Sequence, residues 1–192
     1  MTTTRPLLRR DLRRASILDG AASAFADAGF AATSMESIAA SAGVSKLIVY
    51  RHFESKEDLY RSVIEQVATR LAAVFADAVS HGDPAEAPAR AFLAVAREYP
   101  AGFGLLWQHS AREPQFAEHV ERFRTLAVSY ARSRLAPLLP DESLHAWAAE
   151  TIVDLLVASV LHWLDHDDGG RDDAFVASAG RSMRAVVEAW AG

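Results

Sequence analysis

Apolar side chains recur at helical spacing along nearly the whole chain. Within residues 11–28, Ile17, Ala21 and Phe25 recur once per helical turn, and Gly29 follows as a helix stop. No segment alternates apolar and polar residues with the period of two that a half-buried strand shows. The pattern therefore predicts an all-α fold of about nine helices. The longer predicted helices span residues 11–28, 55–80, 85–98, 103–112, 115–136, 142–165 and 172–190.

Two short helices are predicted between residues 33 and 53. Thr33 and Glu36 have the spacing of a capping box at the start of the first helix, and Gly43 ends that helix. Ser45 can cap the second helix, over residues 46–53. Two short helices joined by a turn with one glycine, after a basic helix, are the pattern of a helix-turn-helix.

The last two helices are unusually apolar. Residues 150–164 are apolar around much of the helix circumference, which indicates burial on several sides. We therefore predict that these helices form a subunit interface in addition to part of the core. The candidate interface residues are Ile152, Leu156, Val160, Trp163, Phe175 and Met183.

Charge is distributed unevenly along the chain. The formal net charge is −5, yet residues 1–56 hold eight Lys and Arg against five Asp and Glu, while residues 57–192 hold twelve against twenty. Positive charge at one end suits a surface that faces phosphates, although a solubilising arm would give the same count. The N-terminus has no apolar signal region and the chain has no cysteine, so we expect a soluble cytoplasmic protein without disulfides.

Residues 29–59 resemble the N-terminal signature of the TetR family. The resemblance rests on Gly-Phe at 29–30, Ala-Gly-Val-Ser at 42–45, Tyr-Arg-His-Phe at 50–53 and Ser-Lys-Glu-Asp-Leu at 55–59, together with the threonine before the first short helix. One of these motifs alone would be weak, whereas their combination is specific. The resemblance implies a helix-turn-helix head that binds double-stranded DNA and a helical body that carries an effector pocket.

The resemblance assigns DNA-contacting roles to residues of the head. Thr33, Tyr50, His52 and Lys56 match phosphate-contacting positions, and residues 45–48 match positions that face bases or the adjoining backbone. The predicted DNA-binding residues are Thr33, Ser34, Ser45, Lys46, Leu47, Ile48, Tyr50, His52 and Lys56.

Leu47 and Ile48 depart from the small and hydroxylated residues common in the family at these positions. Aliphatic side chains cannot hydrogen-bond a base edge, but they can contact thymine methyl groups. The alternative is that one of them is buried against the first helix.

In the body, the resemblance implies a small apolar or amphipathic effector and dimerisation through the last two helices. Asp154 is unusual within an apolar helix and could receive a cationic ligand, pair with Arg124 or Arg132, or reach solvent. Aromatic residues at such positions are more often core than pocket lining. The candidate pocket residues are Phe103, Trp107, Phe123, Tyr130, Trp147, Thr151 and Asp154.

No catalytic motif and no cofactor motif occurs in the sequence. His162 and His166 have a spacing that can hold a metal, but no third ligand is apparent, so we predict no metal site.

Three parts are expected: a flexible basic arm at 1–10, a helix-turn-helix DNA-binding domain at 11–56, and a helical ligand-binding and dimerisation domain at 57–192. The predicted function is that of a homodimeric, effector-released repressor of a palindromic operator. The alternatives are an activator, a regulator without a ligand, and an interaction module whose head no longer reads DNA.

Overall fold

The computed structural model of the chain describes residues 4–109, 113–167 and 169–192. Within these ranges it contains helices and no strand, so the predicted all-α fold with about nine helices is confirmed. The α-helices are α1 (Thr4–Ala32), α2 (Met35–Ser41), α3 (Lys46–Tyr50), α4 (Lys56–His81), α5 (Ala87–Glu98), α6 (Pro100–Gly104), α7 (Ala117–Leu135), α8 (His145–His166) and α9 (Asp172–Ala191). A π-helical turn, Leu105–His109, follows α6, and short 3-10 turns, Pro114–Phe116 and Glu142–Leu144, precede α7 and α8.

The first helix begins earlier than the sequence pattern indicates. Residues 4–10, predicted as part of a flexible arm, form the first turns of α1, while residues 1–3 lie outside the described residues. Leucine and arginine, which dominate this segment, are good helix formers, and Pro6 lies in the first turn, where proline is tolerated. Gly29 interrupts α1 as expected, because its φ of 77° is left-handed.

The start of α2 corrects the predicted capping box by one residue. Ser34 is the N-cap, and its Oγ accepts a hydrogen bond from the Ser37 amide at 3.1 Å while the Ser37 Oγ accepts from the Ser34 amide at 3.0 Å. Thr33 is instead 3% exposed, and its hydroxyl donates to the Gly29 carbonyl at 2.7 Å. The threonine therefore holds the kinked end of α1, which leaves the cap to the next residue.

The chain divides into two compact units. The first comprises Met1–Ala68 and Tyr99–His119, and the second comprises Thr69–Glu98 and Val120–Gly192. The boundary predicted between residues 56 and 57 coincides with the start of α4, but the first unit includes that helix as far as Ala68. The core of the first unit includes Ile17, Phe25, Ile38, Val49, Phe53, Tyr60 and Phe103.

The second unit buries one side of α8 against α5 and α9. Leu156 and Val160, predicted as interface residues, are 5% and 0% exposed within the single chain, so their side chains belong to the core of this unit. The assignment failed because α8 is apolar on most sides, and periodicity alone does not tell which side faces inward. Ile152, Trp163, Phe175 and Met183 are partly exposed.

The segment Glu142–His166 is long and apolar enough to cross a membrane by length and composition. Only a third of the 18-residue window that meets this criterion is buried in the chain. A single helix of this kind is weak evidence for insertion, because helices of soluble cores and interfaces meet the same criteria.

Candidate DNA-binding site

The turn between α2 and α3 is set by a left-handed glycine. Gly43 has a φ of 63°, its amide donates to the Ala40 carbonyl at 3.1 Å, and the Val44 amide donates to the Ala39 carbonyl at 2.9 Å. These bonds satisfy carbonyls at the end of α2 and direct the chain into α3. The Gly-Val-Ser segment therefore turns as the sequence predicts.

Close packing of α1 fixes the same turn from behind. A Cβ atom on Gly20 would lie 2.6 Å from the Ala42 amide nitrogen, closer than any ordinary contact. The Ser16 hydroxyl, one turn earlier, donates to the Ala42 carbonyl at 3.3 Å. Sequence reasoning missed Gly20, because a glycine within a helix has no local signal that shows which backbone approaches it.

Helix α3 presents its apolar anchor inward and its other side chains outward. Val49 is fully buried, whereas Leu47 is 62% exposed and Tyr50 is also exposed. Ile48 is half-buried. Leu47 is therefore not the buried member of the pair and is available to a partner, whereas half-buried Ile48 leaves the alternative open for that residue. Ser45 and Ser34 are exposed at the N-cap positions of α3 and α2, as a DNA-facing role requires.

Lys46 lies on the exposed surface between two neighbours. Its ammonium donates to the Glu36 carboxylate and lies 5.7 Å from the centroid of the Tyr50 ring. The hydrogen bond to Glu36 raises the pKa of Lys46, and the same bond lowers the pKa of Glu36. An incoming phosphate or base must compete with Glu36 for this ammonium. Sequence reasoning assigned Glu36 to a cap and so missed its position beside the predicted base-facing lysine.

Lys56 holds the end of α1. Its ammonium donates to the carbonyls of Phe30 at 2.8 Å and Thr33 at 2.9 Å, and it lies 4.3 Å from the centroid of the Phe30 ring. Thr33 is buried with its hydroxyl engaged. Both residues thus position the segment that leads into α2, and phosphate contact by either remains a prediction.

His52 is half-buried near a row of arginines on α1. Burial lowers the pKa of His52, and the positive charges of Arg10, Arg14 and Arg13 lower it further. The Arg14 guanidinium also lies 5.1 Å from the centroid of the Phe53 ring. These arginines recur at positions i, i+3 and i+4 and therefore share one face of α1. The sequence showed them as an excess of basic residues, and the helix gathers them beside the turn.

The candidate pocket residues are divided between the two units. Phe103 and Trp107 lie in the first unit, 6.3 Å apart between ring centroids, and the other five lie in the second. Tyr130 packs edge-on against Phe75 with 4.6 Å between ring centroids. The ring centroids of Trp147 and Trp190 lie 4.7 Å apart.

Three further candidates of the second unit have simple surroundings. Asp154 pairs with Arg124 through two hydrogen bonds of 2.7 and 3.1 Å, which is one of the three outcomes considered for it. Thr151 is partly exposed, as is Phe123. An effector pocket built from the candidate residues remains a prediction.

Candidate metal ligands are sparse in the described residues. There, no three His, Cys, Asp or Glu side chains converge on a common point. The His166 Nδ1 lies 2.7 Å from the His162 carbonyl, which is a local helical contact.

Sequence comparison relates the chain to bacterial transcriptional regulators, in agreement with the helix-turn-helix seen in the head. A family model for bacterial regulatory proteins of the tetR family matches residues 17–63. The chain is 31% identical over 170 residues to the HTH-type transcriptional activator FasR of Mycolicibacterium smegmatis, which covers 83% of this chain and 76% of FasR. It is 33% identical over 131 residues to the HTH-type transcriptional repressor Rv3405c of Mycobacterium tuberculosis, which covers 64% of each protein.

The fold is also similar to that of a regulator solved on DNA. The crystal structure of AibR in complex with isovaleryl coenzyme A and operator DNA matches with a TM-score of 0.68 and 17% identity, over 89% of this chain and 97% of AibR. The helix-turn-helix geometry, the family match and the relatives agree. The chain therefore belongs to the TetR family of bacterial regulatory proteins and is a DNA-binding transcriptional regulator.

Proposed function

We propose that the protein is a cytoplasmic homodimeric repressor that places each α3 in a major groove of a palindromic operator. The observation that carries the proposal is the arrangement of the head: Leu47, Lys46 and Tyr50 are exposed on α3, while Val49 anchors it. A single short helix contacts few bases, so two heads related by a two-fold axis are needed for specific binding. Repression requires only that the bound dimer occupy the promoter.

Recognition of bases rests on Leu47 and Lys46. The exposed leucine can pack on a thymine methyl group, and the lysine can donate to guanine once it leaves Glu36. Glu36 opposes binding at DNA sites that have no hydrogen-bond acceptor for Lys46, because the Lys46–Glu36 ion pair is then broken and no new contact replaces it. We therefore assign Glu36 a role in discrimination between operator and other DNA.

The dimer forms through the exposed side of α8. The residues on that side recur at intervals of three and four and are Trp147, Thr151, Leu155, Ala158 and His162. Leu155, at the middle of this side, is 39% exposed, and its neighbours along the side give a second subunit a continuous surface to cover. This stripe replaces Leu156 and Val160 as the proposed centre of the interface, and partly exposed Ile152, Trp163, Phe175 and Met183 lie at its margins or on α9.

A matched pair of variants tests this interface. Leu155→Arg should give monomers in sedimentation velocity, whereas Leu126→Arg, at an exposed leucine on α7, should leave the dimer intact. A dimer that survives Leu155→Arg places the interface elsewhere.

We further propose that a small amphipathic effector releases the operator. The AibR structure supports the existence of an effector, because a protein of this fold holds isovaleryl coenzyme A, there together with operator DNA. Release of the operator is our own inference. An effector acts by binding the DNA-free arrangement of the dimer more tightly than the DNA-bound one. A first probe is isovaleryl coenzyme A itself, with free coenzyme A as the control. A shift in operator affinity with the thioester alone would support an acyl-group effector.

Activation is the second candidate, because FasR is named an activator. The experiment that tests the proposed function begins with selection of the purified protein against a random duplex library at near-physiological salt. The expected result is a palindromic consensus, which Leu47→Ala relaxes at one position in each half-site. Salt-sensitive binding without a consensus would support the interaction-module alternative. Transcription from a promoter carrying the consensus then separates repression from activation.

A further inference from the structure

A cavity of about 210 Å³ lies inside the first unit, beside the kinked end of α1. It is distinct from the effector pocket that the sequence predicts for the body, because its lining comes from the end of α1, the start of α4 and the segment after α6. The lining includes Phe25, Asp27, Phe30, Tyr60, Leu105 and Glu113.

Aromatic rings form one wall of the cavity. The Tyr60 ring packs edge-on against Phe25 at 5.0 Å and against Phe30 at 5.5 Å between centroids. On another side it stacks on Phe116 at 4.2 Å. Because each ring is held by its neighbours, this wall of the cavity keeps its position when a ligand enters. Their faces also carry the partial negative charge that attracts cations.

Tyr60 presents a polar group that the described part of the chain leaves unused. The residue is 1% exposed, and its hydroxyl has no hydrogen-bond partner there. A buried hydroxyl without a partner is destabilising, so this hydroxyl calls for a water molecule or a bound group as its partner. Burial and the negative charge of Glu113 raise the pKa of Tyr60 to about 12, so the hydroxyl is protonated at neutral pH.

The charge that faces the cavity is negative. The Glu113 Oε1 accepts a hydrogen bond from the Phe30 amide at 3.3 Å, and no basic side chain pairs with Glu113 among the described residues. The exposed Asp27 also lines the cavity. The ammonium of Lys56 donates to the Phe30 and Thr33 carbonyls and lies 4.3 Å from the centroid of the Phe30 ring, so the faces of Phe25 and Tyr60 are the ones left to a ligand cation. A carboxylate beside aromatic faces is a site for a cation with an apolar body.

We propose that this cavity binds a small organic amine in its protonated form. Glu113 is the counter-ion, the Tyr60 hydroxyl oxygen accepts a hydrogen bond from the ammonium, and Phe25, Phe30 and Leu105 contain the apolar part. A cavity of about 150 Å³ can hold a benzene molecule, so one ring with an aminomethyl group suits the present volume. Binding at this site is measured on the free protein and does not depend on the proposed operator or dimer.

Such a ligand would act close to the helix-turn-helix. Phe30, which the ligand would touch, follows the left-handed Gly29, and Thr33 bonds back to the Gly29 carbonyl just before α2 begins. Amine binding is therefore expected to change operator affinity, and by linkage operator DNA would change amine affinity by the same factor.

The test uses the full chain with benzylamine as the probe and benzyl alcohol as the neutral control. We expect benzylamine to bind with a dissociation constant of about 1 mM, which is within reach of a ligand with so few atoms. At about 10 mM it should raise Tm by about 4 °C, and benzyl alcohol should have a much smaller effect. Equal shifts with the two compounds, or no shift with benzylamine, would overturn the proposal.

Three variants assign the binding to this cavity. Glu113→Gln, which keeps an acceptor for the Phe30 amide, should weaken benzylamine binding at least about 10-fold. Tyr60→Phe should weaken it about 5-fold while the free protein keeps its Tm or gains stability, because the hydroxyl that is removed has no partner. Glu121→Gln, at an exposed glutamate on α7, should bind as the parent does.

Two further results would contradict the assignment. If Tyr60→Phe lowers Tm while benzylamine affinity is unchanged, the hydroxyl serves the fold and not a ligand. If Glu121→Gln weakens binding as much as Glu113→Gln, the amine responds to net charge and not to this cavity.

Discussion

The two units use arginine in different ways. In the second unit, Arg97 is paired with Asp172 and Arg124 with Asp154, each through two hydrogen bonds. Arg171 pairs with Asp167 at 2.9 Å. These guanidinium groups join segments that are distant in sequence or close a loop, and their charge is balanced by the carboxylate that they contact.

In the first unit, Arg10, Arg13 and Arg14 of α1 form no ion pair with a carboxylate among the described residues. Together with burial, which has the larger effect, their positive charges lower the pKa of His52. Like charges that gather on one face raise the local potential and favour an anion there. The overall charge of −5 therefore says little about ligands, because binding depends on which charges are already paired within the chain.

The largest expected effect comes from removing the arginine row. The triple variant Arg10→Ala, Arg13→Ala, Arg14→Ala should bind operator DNA about 100-fold more weakly near physiological salt, with the salt slope reduced by about 3. Fluorescence anisotropy at several salt concentrations measures both. The control Arg171→Ala, which breaks a pair in the second unit, should leave affinity and slope unchanged. Equal losses in the two variants would remove the distinction between the units.

Gly20 in the first unit and Gly180 in the second differ in how closely other backbone approaches them. A Cβ on Gly20 would meet backbone at 2.6 Å, whereas a Cβ on Gly180 in α9 would meet the Ala85 carbonyl oxygen at 3.1 Å. Gly20→Ala should therefore lower the free energy of unfolding by about 2 kcal/mol, and Gly180→Ala by less than about 1 kcal/mol. Urea denaturation checks the order. A Gly20→Ala protein as stable as the parent would show that α1 and the turn can separate freely.

The two lysines of the chain are expected to have different roles, Lys46 in DNA binding and Lys56 in stability. Lys46→Ala is expected to weaken operator binding about 10-fold with an unchanged Tm, because its ion pair is exposed and contributes little to stability. Lys56→Ala should lower the free energy of unfolding by about 1 kcal/mol, since two carbonyls at the end of α1 lose their donor. Thermal denaturation measures the Tm of both variants, and fluorescence anisotropy measures their affinity for operator DNA. A Tm loss confined to Lys46→Ala would reverse these roles.

The smallest expected effect is on pH dependence. The pKa of His52 is lowered in the free protein, so the unfolded chain takes up the proton more readily and the free energy of unfolding falls as pH drops below about 6.5. A DNA phosphate beside His52 would raise this pKa again, and DNA binding would then take up a proton. Operator affinity should therefore rise about 3-fold as the pH is lowered from about 7.5 to about 5.5.

His52→Gln is the control for that pH dependence. This variant should bind with nearly constant affinity across the same range. If the parent protein binds more weakly at low pH, His52 does not face a phosphate.

Much of the head could be predicted from sequence because its signals are local. Gly43 and Ser45 mark the turn and the start of α3 within a few residues, and the structure has both where expected. The cap of α2 was one residue off, because the competition between Thr33 and Ser34 was decided by the burial of Thr33 against the end of α1. Local pattern cannot anticipate a contact of that kind.

The helices, the turn and the family could be predicted from sequence alone, since these depend on propensity, caps and motifs within short segments. Packing of the helices was needed to show that Leu155 faces outward while Leu156 and Val160 face the core. It was needed equally to show that Gly20 lies against the Ala42 backbone and that Lys46 pairs with Glu36. The physical reason is that helix formation depends on neighbours within about four residues. The inward side of an apolar helix, a backbone approach and an ion pair depend instead on which helices meet.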